Sequence, residues 1–201
     1  MILFFGDSLT SGENNGFIGY VEKLKLLNYK NFGVSGTCIG DYSLYPVGDN
    51  NLIQLLYKHK SDIEVADKIF LEYGANDISA LTAGYIDIKR VEIDLIKCLD
   101  FIKQTNNKAV IYFILLGVND VKMSESQTTY LMNDYLKNVD ININKQTWLN
   151  TYRKFVEFVL KVISNIIYMP YLLETDIDID GIHPNDIGYE KIAYTLKEIV
   201  K

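Results

Sequence analysis

Residues 1–12 read Met1-Ile2-Leu3-Phe4-Phe5-Gly6-Asp7-Ser8-Leu9-Thr10-Ser11-Gly12, five apolar residues followed by a glycine and a short polar turn. An apolar run of that length without polar alternation predicts a strand buried on both faces, and the glycine and aspartate end it. The pattern returns at residues 29–34, 68–73, 109–116 and 165–171, each rich in Ile, Val, Leu, Phe or Tyr and bounded by Gly, Asn, Asp or Pro. Between these runs the period changes. Ile88, Val91, Leu95, Cys98 and Ile102 recur at three and four residues, which predicts one apolar stripe on a helix over residues 85–105. Leu149, Tyr152, Val156, Val159 and Ile163 repeat the spacing, and further helices are expected at residues 17–27, 51–59 and 186–200. Strands alternating with helices in this way predict an α/β fold around a parallel sheet. Residues 117–146 are polar and lack a clear strand, so an extra helix or a lid is expected there.

Composition narrows the classes. With 201 residues, 48% hydrophobic, 23% charged and three prolines, the chain is expected to form one compact domain over residues 1–201. A folded chain of 23.0 kDa exposes roughly 9,600 Å² of about 33,000 Å² available when unfolded, which leaves ample surface for a core. The net charge of −6 gives no reason to approach nucleic acid or an anionic membrane. Cys38 and Cys98 lack the CxxC spacing, and His59 and His183 are the two histidines, so no metal site of the usual zinc kind is expected. Reduced thiols and an opening apolar run too short for a signal peptide or membrane span lead to the expectation of a cytoplasmic protein without stable membrane insertion.

An open parallel sheet presents its functional groups in the loops at the carboxyl ends of its strands. Those loops hold Gly6-Asp7-Ser8, Gly33-Val34-Ser35-Gly36-Thr37 and Gly74-Ala75-Asn76-Asp77, and Asp180-Gly181-Ile182-His183-Pro184 precedes the last helix. Ser8 alone is an ordinary helix cap. Together the four loops offer an acyl-transfer site: Ser8 as nucleophile, His183 as base and Asp180 to orient the imidazole. The Ser8 and Gly36 backbone N–H groups and the Asn76 amide are the candidate oxyanion donors.

These four blocks, in this order and over essentially the whole chain, resemble the SGNH hydrolase superfamily, also called GDSL esterases and lipases. The resemblance implies a three-layer α/β/α sandwich of flavodoxin-like type with a five-stranded parallel sheet. It also implies hydrolysis of esters or thioesters without a metal or other cofactor. The expected partner is a small-molecule acyl ester, with O-acetyl groups on a carbohydrate as the substrate to test first. Thioesterase or lysophospholipase activity on longer chains is the alternative, and a catalytically inactive glycan-binding domain is the alternative of another class. An acyltransferase would use the same triad, because the pocket chooses the acceptor.

Two features depart from the family. The strand over residues 109–116 runs into Gly117-Val118-Asn119-Asp120 rather than a proline-rich turn, and Asn119 is read as a turn residue. The segment that follows has no family counterpart. Other motifs are decoys: Ser35 lies in a sequence one glycine short of a nucleophile elbow. Asp176-Ile177-Asp178-Ile179-Asp180-Gly181 copies half an EF-hand, but Ile187 stands where a bidentate Glu is needed. His59, beside Lys58 and Lys60, is expected on a solvated face. Cys38 is expected to line the pocket, and Tyr42, Tyr45, Tyr73 and Tyr85 fall near the active-edge loops, where a ring with a hydroxyl suits a sugar. Glu72, inside a buried strand, needs a polar strand end or a partner.

Overall fold

The computed structural model describes residues 1–43, 48–115, 145–170, 172–179 and 183–201. Five strands form one sheet: β1 (Ile2–Gly6), β2 (Tyr29–Gly33), β3 (Lys68–Glu72), β4 (Val110–Leu115) and β5 (Ile166–Tyr168). All neighbours are parallel, in the order β2-β1-β3-β4-β5. This is the flavodoxin-like order, and its direction reverses between β1 and β3, which opens a crevice at their carboxyl ends.

Side chains alternate between two cores because the strand period is two. Leu3, Phe5, Ile69, Leu71, Phe113 and Leu115 face a large core. It is covered by α3 (Leu52–Lys58), α6 (Ile88–Thr105) and α7 (Lys145–Val162), through residues such as Leu56, Leu95 and Phe155. Phe4, Phe70, Ile114 and Ile167 face a smaller core on the other side. There α2 (Tyr20–Lys23) and α8 (Asp186–Leu196) supply Tyr20, Val21, Tyr189 and Ile192. Register places Phe4 opposite Phe70, and Phe70 opposite Tyr112. Their rings accordingly stack at 4.9 and 4.8 Å across three strands. Each buried aromatic of this kind contributes about 1.5–3 kcal/mol by leaving water, so this row pins the register of the central strands.

The expected helix over residues 17–27 is a correction. The chain forms α1 (Ser8–Ser11), a 3-10 turn at Glu13–Asn15 and the single turn α2 instead. Phe17 and Lys25 hold φ of 63° and 53°, in the left-handed region that a helix cannot pass through. A helix over α5 (Ala75–Thr82) was not read from the sequence, and α4 (Lys60–Ile63) adds a turn after α3. Residues 117–144 of the irregular segment lie outside the described residues, and its last two residues open α7.

Candidate active site

At the end of β1, Gly6 passes so close to α1 that a Cβ would lie 2.1 Å from Thr10 Oγ1. Asp7 caps α1 by accepting the Leu9 N–H at 3.0 Å, and Ser8 is the first residue of that helix. Gly12, at φ 63°, ends it in the left-handed conformation that suits glycine. The strand-to-helix turn therefore holds Ser8 at the mouth of the β1–β3 crevice.

His183 arrives from the other end of the chain on a tightly tied turn. Its carbonyl accepts from Asp178 N–H at 2.8 Å, and Asn185 N–H donates to Asp176 O at 2.8 Å. Asn185 caps α8 with its carbonyl oxygen and donates its amide to Thr175 O at 2.8 Å. Asn14, just beyond α1, donates to Pro184 O at 3.3 Å and accepts the Tyr189 hydroxyl at 2.8 Å, which links the serine and histidine turns. The result is a separation of 2.8 Å between His183 Nε2 and Ser8 Oγ, across 175 positions of sequence.

Gly36 takes φ 77°, again a glycine conformation, and its carbonyl accepts the Ser43 hydroxyl at 2.5 Å. Asn76, at the start of α5, donates its amide to Thr37 O at 2.9 Å and to Asp7 Oδ2 at 3.2 Å. One side chain thus ties the β1, β2 and β3 loops together, beside Ser8 on one side and beside Gly36 on the other. Asp180 and Tyr45 lie outside the described residues. Asp176, the first acidic position of the calcium-like pattern, is taken by Lys191 Nζ at 2.6 Å.

Residues 4–191 match the model of the GDSL-like lipase/acylhydrolase family. The chain belongs to this family. Its members act on small-molecule esters, so the chain is a hydrolase of ester bonds. No curated protein matches the chain. Among solved structures, the lipase Lip_vut3 from a goat rumen metagenome aligns at 15% identity and TM-score 0.63, over 98% of this chain and 95% of that one. A catalytic mutant of Axe2, an acetylxylan esterase from Geobacillus stearothermophilus, aligns at 15% identity and TM-score 0.59, over 98% and 93%. TesA aligns at 16% identity and TM-score 0.57, over 98% of each chain. At these identities the likeness is one of fold. Among the described residues of this GDSL family member, no helix is long and apolar enough to cross a membrane.

Several other residues carry jobs that the sequence left open or that differ from those expected. Cys38 is fully buried rather than lining a pocket, and burial with the nearby Asp77 carboxyl pushes its thiol far up. His59 is not on an open face: its ring stacks on Phe32 at 3.7 Å between centroids. Tyr73 is buried, Tyr42 donates to Asp77 at 2.9 Å, and Tyr85 stays exposed. Asp77 also accepts the Ile39 N–H at 3.0 Å, so its carboxyl anchors the loop that follows Gly36.

Burial pushes Asp77 from its ordinary 3.8 up to about 7, against the hydrogen bonds from Ile39 and Tyr42, which pull it down. Between those values the folded chain keeps a proton that the unfolded chain releases. The stability from this group is therefore complete below about pH 4 and is lost as pH rises through about 7, with a limiting slope of about 1.4 kcal/mol per pH unit. Asn in its place keeps the acceptor and cannot ionise. Thermal unfolding of Asp77→Asn should therefore show a midpoint that gains on wild type from about pH 5 to about pH 8. A difference that stays constant over that range would show that Asp77 does not titrate as stated.

Proposed function

We propose that this protein is a serine esterase working through an acyl-enzyme. The observation that carries the reading is the 2.8 Å contact between Ser8 Oγ and His183 Nε2 at the carboxyl edge of the sheet. A neutral imidazole at that distance accepts the serine proton as Oγ bonds to the ester carbonyl carbon. The histidine then returns the proton to the departing alkoxide as the C–O bond breaks. Water repeats the cycle in reverse and releases the acid. Asp180, three residues before His183, is the carboxylate assigned to orient the imidazole. The backbone N–H groups of Ser8 and Gly36 and the Asn76 amide receive the oxyanion. The side-chain amide supports that assignment through its position between Asp7 and Thr37.

The proposed substrates are esters of short acyl groups, with O-acetyl groups on a carbohydrate first. One fold neighbour is an acetylxylan esterase. A fluorophosphonate probe should label the wild-type protein on Ser8, and a series of p-nitrophenyl esters from acetyl to palmitoyl should show the highest kcat/KM at the short end. A maximum at palmitoyl, or a preference for acyl thioesters, would replace the short-chain reading with the thioesterase or lysophospholipase one. Absence of labelling together with measurable glycan binding would overturn the enzyme reading.

A further inference from the structure

Glu72 is the last residue of β3 and lies in register with Gly6 of β1, the residue before Asp7. Glu72 is 1% exposed and Asp7 0%, so two carboxyl groups lie out of reach of water at the strand ends that lead to Ser8 and Asn76. The hydrogens around them can be counted. Thr10 Oγ1 donates to Glu72 Oε2 at 3.0 Å. Having only one hydrogen, Thr10 must accept from the Tyr20 hydroxyl, 2.8 Å away. Glu72 Oε1 has no donor within hydrogen-bond distance among the described residues; the Asp7 N–H pulls on this carboxyl only weakly, and the group beside it is the Asp7 carboxyl.

Asp7 is better served. It accepts the Leu9 N–H at 3.0 Å and the Asn76 amide at 3.2 Å. Two adjacent carboxylates away from water do not both ionise, and the charge settles where more donors face it. Asp7 has two donors within hydrogen-bond distance and Glu72 has one, and the unfilled oxygen is on Glu72.

We infer that Asp7 and Glu72 hold one proton between them, carried on Glu72 Oε1 and donated to the Asp7 carboxylate, and that this pair positions the Asn76 amide over the reacting carbonyl. The positioning half rests on the reading of Asn76 as an oxyanion donor; the location of the proton does not. Burial raises both carboxyl groups, and the negative charge of Asp7 drives Glu72 well above the usual carboxylate range. The fixed donor on Glu72 leaves Asp7 with one orientation, and Asp7 in turn fixes Asn76. Glu72 is thus a positioning residue that never touches substrate. His183 and the Asp77 carboxyl are the further titratable groups that act with Asp7.

Infrared spectroscopy at neutral pH reads the proton directly. Asp77 also holds a proton near neutrality, so the comparison is made in Asp77→Asn. There a protonated-carboxyl C=O band, shifted in D2O, should be present with Glu72 in place, with or without Ser8→Ala, and absent once Glu72→Gln is added. Its absence from Asp77→Asn, or its persistence in the Asp77→Asn, Glu72→Gln protein, would overturn the assignment whatever Ser8 does. Kinetics read the positioning. Gln presents an N–H donor to Asp7 and an oxygen to Thr10, as protonated Glu does, so Glu72→Gln should keep kcat within about threefold while Glu72→Leu loses roughly tenfold or more with KM little changed. A loss in Glu72→Gln as large as in Glu72→Leu would overturn the donor role. Equal and full activity in both would overturn the positioning role while leaving Ser8 as nucleophile untouched.

Discussion

Ser8→Ala should lower kcat on an activated acetyl ester by about 10⁵- to 10⁶-fold while leaving the thermal midpoint within a few degrees of wild type. The size follows from what the hydroxyl does. It is the atom that becomes covalently bound, so without it the second half of the reaction has no intermediate to hydrolyse. The fold should survive because the tie to His183 is the side-chain hydrogen bond that the described structure gives Ser8 Oγ, and alanine is a good helix former at the first position of α1. His183→Ala should cost a similar factor, and the double variant scarcely more than either single one, since a nucleophile without its base and a base without its nucleophile are equally idle. Active-site titration and steady-state rates on the three variants check this. Additive losses would mean that the two residues act independently, and turnover near wild type in Ser8→Ala would place the nucleophile elsewhere.

The sheet was legible because its signal is local. Alternation of Leu3 and Phe5 with Phe4, and of Ile69 and Leu71 with Phe70, is written into consecutive residues, and the structure distributes them to the two cores accordingly. The serine and histidine blocks were legible through their motifs, although nothing in residues 8 and 183 alone predicts a contact across 175 positions. What failed had long-range causes. The helix expected at residues 17–27 carries an adequate apolar pattern, but Gly12 and Gly19 approach so closely that a Cβ on Gly12 would lie 2.3 Å from Gly19 N. Phe17 is turned to φ 63° between them. Glu22 then reaches back to Gly19 N–H at 2.9 Å and across to Asn31 at 2.8 Å, so this segment answers to its neighbours before its own propensity. Glu72 announced itself as a buried acid without naming Thr10, 62 residues away. Asp7 and Asp77 offer two readings in the sequence, loop anchors through backbone N–H groups or ordinary turn aspartates, and the bonds from Leu9 and Ile39 N–H decide for the anchors.

Asn76→Ala should lower kcat by about 10²- to 10³-fold with a much smaller change in KM, the range for removing one oxyanion donor. The resting geometry explains both the size and a second effect. The amide nitrogen spends its hydrogens on Thr37 O at 2.9 Å and on Asp7 Oδ2 at 3.2 Å. The longer of these bonds is the weaker, so the hydrogen facing Asp7 is the one that can be shared with an oxyanion as charge develops on it. The shorter bond holds the nitrogen in place meanwhile. Alanine removes the donor and leaves a buried carbonyl and a buried carboxyl each short of a partner, at about 1–3 kcal/mol for such a group. The variant should therefore lose stability as well as rate, and the two losses separate by measuring kcat well below the variant's own unfolding transition. A rate that recovers fully once the folded fraction is accounted for would reduce Asn76 to a strut between loops. A rate still lower by two orders of magnitude at full folding would leave the transition state as the place where its hydrogen bond is made.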